Sequence, residues 1–141
     1  MRFVGFAAAV CTAACLDASM GPSRGVTMDG LVGDLRHQGV TVSSGGNEPR
    51  ESFPFFSVQA KRLRINGDDA DVFEYTTDAV ATSEASTVSP SGTPIGTTQT
   101  TWISAPRFYK RDRFIVLYVG ANLTVVRALE AVFGKPFAGG I

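Results

Sequence analysis

The chain offers few side chains that could carry out catalysis. His37 is its only histidine, so a Ser-His or Cys-His catalytic pair would have to use it. No nucleophile motif lies near it, and its place in the last turn of a predicted helix favours a capping role. The carboxylates of Glu74, Glu84 and Glu130 lie on different predicted elements, so no paired-carboxylate site is indicated. The sequence therefore favours a non-catalytic protein, with a small hydrolase-like enzyme using carboxylates and Tyr109 as the alternative.

Three further segments resemble binding motifs only in part. Asp68, Asp69 and Asp71 crowd one turn, but an EF-hand calcium loop also needs a distant bidentate Glu, which is missing here. Residues 89–98 resemble a phosphate cradle without the lysine of a Walker loop, and their two prolines remove amide donors. Residues 107–113 form a basic patch with interleaved aromatic side chains, which we interpret as a hairpin with a solvated face. A contact of this patch with anionic lipid or an acidic partner is the other option. No metal site and no cofactor are predicted.

The N-terminus has the pattern of an export signal. Arg2 is followed by an uncharged, mostly apolar run, which is too short to span a bilayer but fits a signal peptide. The run ends in Thr12-Ala13-Ala14-Cys15, which resembles a bacterial lipobox, although Thr12 stands where the pattern prefers Leu. We therefore expect residues 1–14 to be a signal peptide and Cys15 to be acylated. A plain secreted protein is the alternative location.

Composition limits the remaining classes. The chain has 141 residues, 13 basic and 13 acidic side chains and 44% hydrophobic residues. This is one ordinary globular domain, and its zero net charge argues against a nucleic-acid binder, which needs a basic excess. Both cysteines, Cys11 and Cys15, belong to the signal region, so the body has no disulfide framework and no sulfur metal site. The small, polar residues after Cys15, up to residue 27, predict a flexible tether.

The folded domain is expected over residues 28–139. A helix begins near Met28, a short strand is one option for residues 40–42, and residues 43–54 form a loop by composition. Strands 55–65 and 70–75 predict a hairpin. A four-residue loop would set Arg64 opposite Asp71, and these complementary charges favour that register over a two-residue turn.

The second half repeats this pattern. A helix is predicted over 78–88, and strands over 97–104 and 113–119, of which the second is apolar on both faces and belongs in the middle of the sheet. The last helix begins at Asn122 as N-cap and ends at Gly134. An offset of 44 residues places Phe73 on Leu117, which fits either a tandem ββα repeat or two unrelated ββα units. The fold class is α+β, a mainly antiparallel sheet with helices packed on one face, in the order α-(β)-β-β-α-β-β-α.

Several strings together resemble an uncharacterised bacterial lipoprotein family. They are residues 54–58, 72–75, 89–92, 95–98, 115–120 and 134–139, with Trp102, Pro106, Phe108 and Tyr109. The resemblance implies an exported, acylated protein of the cell envelope, and it implies no activity, cofactor or catalytic residue.

The expected function is thus that of a lipid-anchored envelope domain that binds a protein partner or a small ligand. Its partners would be the membrane, through the lipid anchor, and that unknown ligand, but no nucleic acid. Aromatic side chains give contact area and hydroxyls give orientation, so the expected binding surface consists of Ser91, Thr93, Thr97, Trp102, Phe108 and Tyr109. A purely structural spacer in the envelope is a further alternative.

Overall fold

The computed structural model describes residues 25–140. The signal peptide, Cys15 and the tether up to residue 24 lie outside the described residues. The elements are α1 (Met28–His37), β1 (Val42–Asn47), a 3-10 turn (Arg50–Ser52), β2 (Ala60–Ile65), β3 (Asp68–Glu74), α2 (Asp78–Ala85), β4 (Pro106–Arg111), β5 (Phe114–Val119), α3 (Leu123–Phe133) and β6 (Ala138–Gly139).

The six strands form one sheet in the order β1-β2-β3-β5-β4-β6, and every neighbouring pair is antiparallel. The predicted α+β class with a mainly antiparallel sheet is confirmed. Strand β5 lies inside the sheet, and its residues Phe114 to Tyr118 are all buried. This confirms the position predicted for it, because a strand that is apolar on both faces needs cover on both.

The helices cover both faces of the sheet, so the prediction that they pack on one face is wrong. Leu35 of α1 and Leu129 of α3 share a core with Val72 of β3. Ala81 of α2 belongs to a second core with Phe73, the next residue of the same strand. Since successive side chains of a strand point to opposite faces, α2 lies on the opposite face from α1 and α3.

This arrangement also argues against a tandem ββα repeat. Val72 of β3 pairs with Val116 of β5, which fits the offset of 44 residues. A two-fold axis between neighbouring antiparallel strands runs perpendicular to the sheet, so it would leave both helices on one face. Helices α2 and α3 lie on opposite faces. The two units are therefore not related as ββα repeats.

The first hairpin has a two-residue turn instead of the predicted four-residue loop. Asn66 and Gly67 both have positive φ, at 51° and 87°, as a type I′ turn requires. Arg64 consequently lies opposite Asp69, and Arg62 opposite Asp71. The predicted and the observed register both pair opposite charges, so charge pairing does not distinguish them. The Asn66-Gly67 turn determines the register.

The helix ends follow the capping residues. The side chain of Thr27 accepts from the amide of Gly30 at the start of α1, and that of Asn122 accepts from Thr124 at the start of α3. Both satisfy amides that have no partner within the helix. The amide of Val26 donates to the carboxylate of Asp112 at 3.0 Å. The end of the predicted tether is thus fixed to the domain, which begins before Met28.

Several segments differ from the sequence-based assignment: the strand predicted over 55–65 begins at Ala60, the helix predicted over 78–88 ends at Ala85, and β6 is an additional strand. Strand β1 occupies residues 42–47, most of which were predicted as loop. Residues 97–104 form no regular strand, and β4 begins only at Pro106. Instead, residues 86–105 form a long loop on the face of α2, closed by bridges from Ile95 to Val88 and Thr98. No helix within residues 25–140 is both long and apolar enough to cross a bilayer.

Candidate functional site

The predicted hydroxyl surface lies on the loop of residues 86–105. Ser91 and Thr97 are exposed and Thr93 is half-buried. The hydroxyl of Ser91 donates to the carbonyl of Thr93 at 2.8 Å, and that of Thr93 accepts from the amide of Thr100 at 3.2 Å. Two of the three hydroxyls therefore hold the loop in shape.

The predicted aromatic contacts lie in the core instead of on a surface. Phe108 is 0% exposed and stacks edge-on against Trp102, with ring centroids 5.9 Å apart. Trp102 is half-buried and donates from Nε1 to the carbonyl of Gly92 at 3.0 Å. The indole thus closes the loop onto the sheet. Phe108 offers no contact area to a partner, which corrects its predicted role.

Tyr109 is separated from this group by the sheet itself. It is the next residue after Phe108 in β4, so its ring packs in the other core, where it is also 0% exposed. Burial, together with a smaller effect of the nearby Glu130 carboxylate, raises the pKa of Tyr109 to about 12. A buried, protonated phenol cannot meet a substrate at the surface. This corrects the prediction of Tyr109 as a binding or catalytic residue.

The sequence-predicted basic patch is neutralised by acidic neighbours. Lys110 pairs with Asp78, Arg111 with Asp34 at 2.9 Å and Arg113 with Glu74 at 3.0 Å. Arg107 donates to the carbonyl of Gly120. Surface pairs of this kind add little stability, but they remove the excess positive charge that an anionic lipid surface would attract.

A polar pocket of about 480 Å³ lies beside the β2–β3 turn. The Tyr118 hydroxyl donates to Asp68 at 2.8 Å and accepts from the amide of Asn122 at 3.2 Å. Gly120 passes directly over this phenol, because a Cβ there would meet its oxygen at 2.6 Å. Ile103, which is 98% exposed, stands at the pocket's rim.

The second charged group of this pocket is built around Arg62. Its guanidinium contacts Glu48 at 3.0 Å, Asp71 at 3.2 Å and Asp69 at 3.5 Å. Asp71 is only 8% exposed. Burial raises the pKa of the Asp71 carboxyl above its ordinary value, and Arg62 partly offsets this increase. Each ionisable group here already has a partner, as in a structural network.

A second depression, which we call the edge cleft, lies between α1 and β1. Its volume is about 230 Å³. Met28, Asp29, Val32 and Arg36 form its helical wall, and β1 with Lys61 to Leu63 of β2 forms the other. Met28, Val32 and Arg36 are spaced four residues apart, about one turn, and Asp29 is three residues before Val32, so all four lie on one side of α1. Strand β1, which forms part of this second wall, is the first strand of the sheet and so has one free side.

The backbone of β1 has unpaired groups along this free side. The amide and the carbonyl of Thr41 both bond to Asn66, toward the interior of the sheet. Because backbone groups alternate along a strand, those of Val42 and Ser44 point outward. The Arg36 guanidinium donates to the outward carbonyl of Val42 at 2.8 Å. A bulge between Ser44 and Gly46 shifts the register beyond this point.

Sequence reasoning missed this edge because Ser43, Ser44, Gly45 and Gly46 have the composition of a loop. The preceding Val-Thr-Val was the only strand signal. Among residues 25–140, no group of three or more His, Cys, Asp or Glu side chains could hold a metal ion. His37 is exposed in the last turn of α1. Cys15, the predicted lipidation site, lies outside the described residues.

Comparison of the chain with family models, curated proteins and solved structures finds no match.

Proposed function

We propose that this chain is a non-catalytic binding domain of the bacterial cell envelope, anchored by acylated Cys15, and that its protein partner adds a strand to β1. The observation that carries the proposal is the free edge of β1. This edge presents outward backbone groups at Val42 and Ser44 beside a cleft that can receive side chains. Strand addition uses main-chain hydrogen bonds for affinity and neighbouring pockets for specificity.

The sequence of β1 favours this use of the edge. Edge strands that must stay single carry charged residues or proline, whereas Val42–Asn47 has neither. Five of its six residues are exposed, and their side chains are small and polar. The bulge and the Arg36 guanidinium on the Val42 carbonyl are its protective features. On β1 itself a partner strand would meet few steric obstacles and no charged side chain, and at its first residue it would meet the Arg36 guanidinium on the Val42 carbonyl.

The predicted anchor is compatible with this surface. Residues 15–25 could span at most ~33–36 Å when extended, which is about the width of a small domain. The amide of Val26 then fastens the chain to Asp112 in the β4–β5 turn. Such a tether would allow a membrane-bound domain to present β1 to a neighbouring protein. Support for the anchor itself comes from the lipobox-like sequence and from the family resemblance.

Proline at residue 44 tests the binding edge. Ser44→Pro removes one outward amide without removing a hydrogen bond to β2, and edge strands tolerate proline at such positions. Ser44→Ala keeps the amide and is the matched control, since it also lacks the hydroxyl that contacts the amide of Gly46. Full-length chains carrying either change are used to capture proteins from envelope extracts.

The proposal expects a specific partner that Ser44→Ala retains and Ser44→Pro loses by at least about tenfold. Loss of 1.4 kcal/mol of binding free energy corresponds to that factor. Capture that both variants retain equally would contradict binding through the edge. An absence of any captured protein in repeated extracts, a second copy of this chain included, would favour a structural spacer.

A carboxylate-based hydrolase is the second candidate function. The polar pocket favours it, because two pairs of ionisable side chains, Asp68–Tyr118 and Arg62–Asp71, lie within hydrogen-bond distance there. Hydrolysis of chromogenic esters and glycosides by the full chain tests it. Activity that Asp71→Asn and Tyr118→Phe both abolish would support an enzyme. Turnover that neither change affects, or none at all, would count against it.

A further inference from the structure

We propose that the strand added to β1 is the β1 of a second copy of this chain, so that two sheets join across a two-fold axis. This inference rests on the proposed role of β1 as a binding edge and names the partner. A two-fold axis perpendicular to the sheet would pair the two β1 strands in antiparallel orientation. It would also place the two α1 helices side by side on the same face.

The strand itself allows self-pairing. All residues of β1 are uncharged, so no register of the two strands opposes like charges, which would be destabilising. Val42 points into its own core, and the other five residues are exposed and small. Two such strands carry no charged side chain of their own, and the Arg36 guanidinium on the Val42 carbonyl lies beside the first residue of each.

The charges on α1 are self-complementary. Asp29 and Arg36 both line the edge cleft and both are exposed. They lie two turns apart, which is about 10 Å along the helix. Neither forms an ion pair with another residue within 25–140. When two α1 helices run antiparallel about a two-fold axis, Asp29 of each copy faces Arg36 of the other, so the contact forms twice.

One apolar residue of the wall, Val32, lies between these two charges, and Met28 directly precedes Asp29. Met28 and Val32 are partly buried against the core, and they form the rest of the helical wall of the cleft. At the usual separation of packed helices, about 8–10 Å, Val32 of one copy would contact Val32 of the other. Lys61 and Arg62 also line the cleft; Lys61 is directed to Glu74 at 3.7 Å, and Arg62 contacts Glu48 at 3.0 Å. The wall thus has Val32 between an acidic and a basic residue of opposite charge.

Charge reversal separates self-pairing from every other occupant of the edge. In the full chain, Asp29→Arg alone would set Arg against Arg36, and Arg36→Asp alone would set Asp against Asp29. A mixture of the two variants restores both contacts, because each altered side chain then faces its complement. Two copies with different affinity tags are co-expressed, one tag is captured, and the recovery of the other is measured.

We expect wild-type copies to co-purify. Recovery of the second tag should fall by at least about tenfold when Asp29→Arg is paired with itself. The same loss is expected when Arg36→Asp is paired with itself. The mixed pair should return to near the wild-type level, which also shows that both variants are folded. Equal recovery in all combinations, or no recovery in the mixed pair, would overturn the proposal.

Failure of this inference differs from failure of the proposed function. If the copies do not pair but Ser44→Pro still abolishes capture of another protein, the edge binds a different partner. If neither experiment responds to the edge, both proposals are wrong.

Discussion

The guanidinium of Arg36 and the carbonyl of Val42 lie 2.8 Å apart. This hydrogen bond joins the last turn of α1 to the first residue of β1, across the turn at Gly39. Because the Val42 carbonyl points to the free side of the sheet, the bond holds the helix beside the open edge. The edge cleft is therefore a fixed feature of the fold. The contact is made by the side chain of Arg36, which extends from α1 to the backbone of β1.

Two of the three buried tyrosines, Tyr109 and Tyr118, should respond differently to loss of the hydroxyl. Tyr118→Phe removes bonds to Asp68 and Asn122 and should lower the free energy of unfolding by about 1 kcal/mol. Tyr109→Phe should leave it unchanged or raise it by up to about 1 kcal/mol, because among the described residues the Tyr109 hydroxyl has no hydrogen-bond partner. Urea unfolding followed by the fluorescence of Trp102 measures both. A larger loss for Tyr109→Phe than for Tyr118→Phe would contradict these assignments.

Asp71 should make stability depend on pH. Its pKa in the folded state lies above the ordinary value of 3.8, so between these two pKa values the folded chain holds a proton that the unfolded chain has released. The contribution of Asp71 to stability therefore falls as the pH rises through this window. As the pH rises above 3.8, the free energy of unfolding of the wild-type chain should therefore fall relative to that of Asp71→Asn.

A second variant tests the cause of this shift. Arg62 lowers the pKa of Asp71 against the effect of burial, so Arg62→Gln should extend the window to higher pH. The measurement is unfolding free energy against pH for the three chains. If wild type and Asp71→Asn change in parallel at every pH, Asp71 has no shifted pKa.

The lipid anchor has a direct chemical test. Fatty-acid labelling of the expressed full chain should disappear in Cys15→Ser, because acylation needs that thiol. Cys11→Ser is the matched control, since Cys11 lies inside the predicted signal peptide, and it should keep the label. Label that persists in Cys15→Ser, or that never enters the wild-type chain, would count against a lipoprotein.

The sequence was sufficient to predict those parts of the structure that depend on neighbouring residues. Asn122 and Gly134 bound α3 as predicted, because capping depends on a few neighbouring residues. The position of β5 also follows from its own residues, since only an interior strand buries both faces. By contrast, the face that α2 covers depends on packing with the loop of residues 86–105, which leaves little trace in a helix with weak apolar periodicity.

The candidate site was harder to predict for a related reason. Phe108 and Tyr109 suggested an aromatic contact surface, yet adjacent strand residues point to opposite faces, and here both faces are buried. Local sequence cannot show whether a second face is covered. The edge of β1 was missed because its small polar residues act through the backbone, so their side chains carry no functional signal.

Amide exchange along β1 tests the central claim most directly. Deuterium exchange of the full chain is followed residue by residue in the free state and in the partner-bound state. The partner used is the protein that the Ser44→Ala variant still captures. Strand addition should slow exchange at the outward amides of Val42 and Ser44. It should leave the amide of Ser43 unchanged, because that amide points toward β2 and is already protected. Unchanged exchange at Val42 and Ser44 in the bound state would contradict binding through this edge.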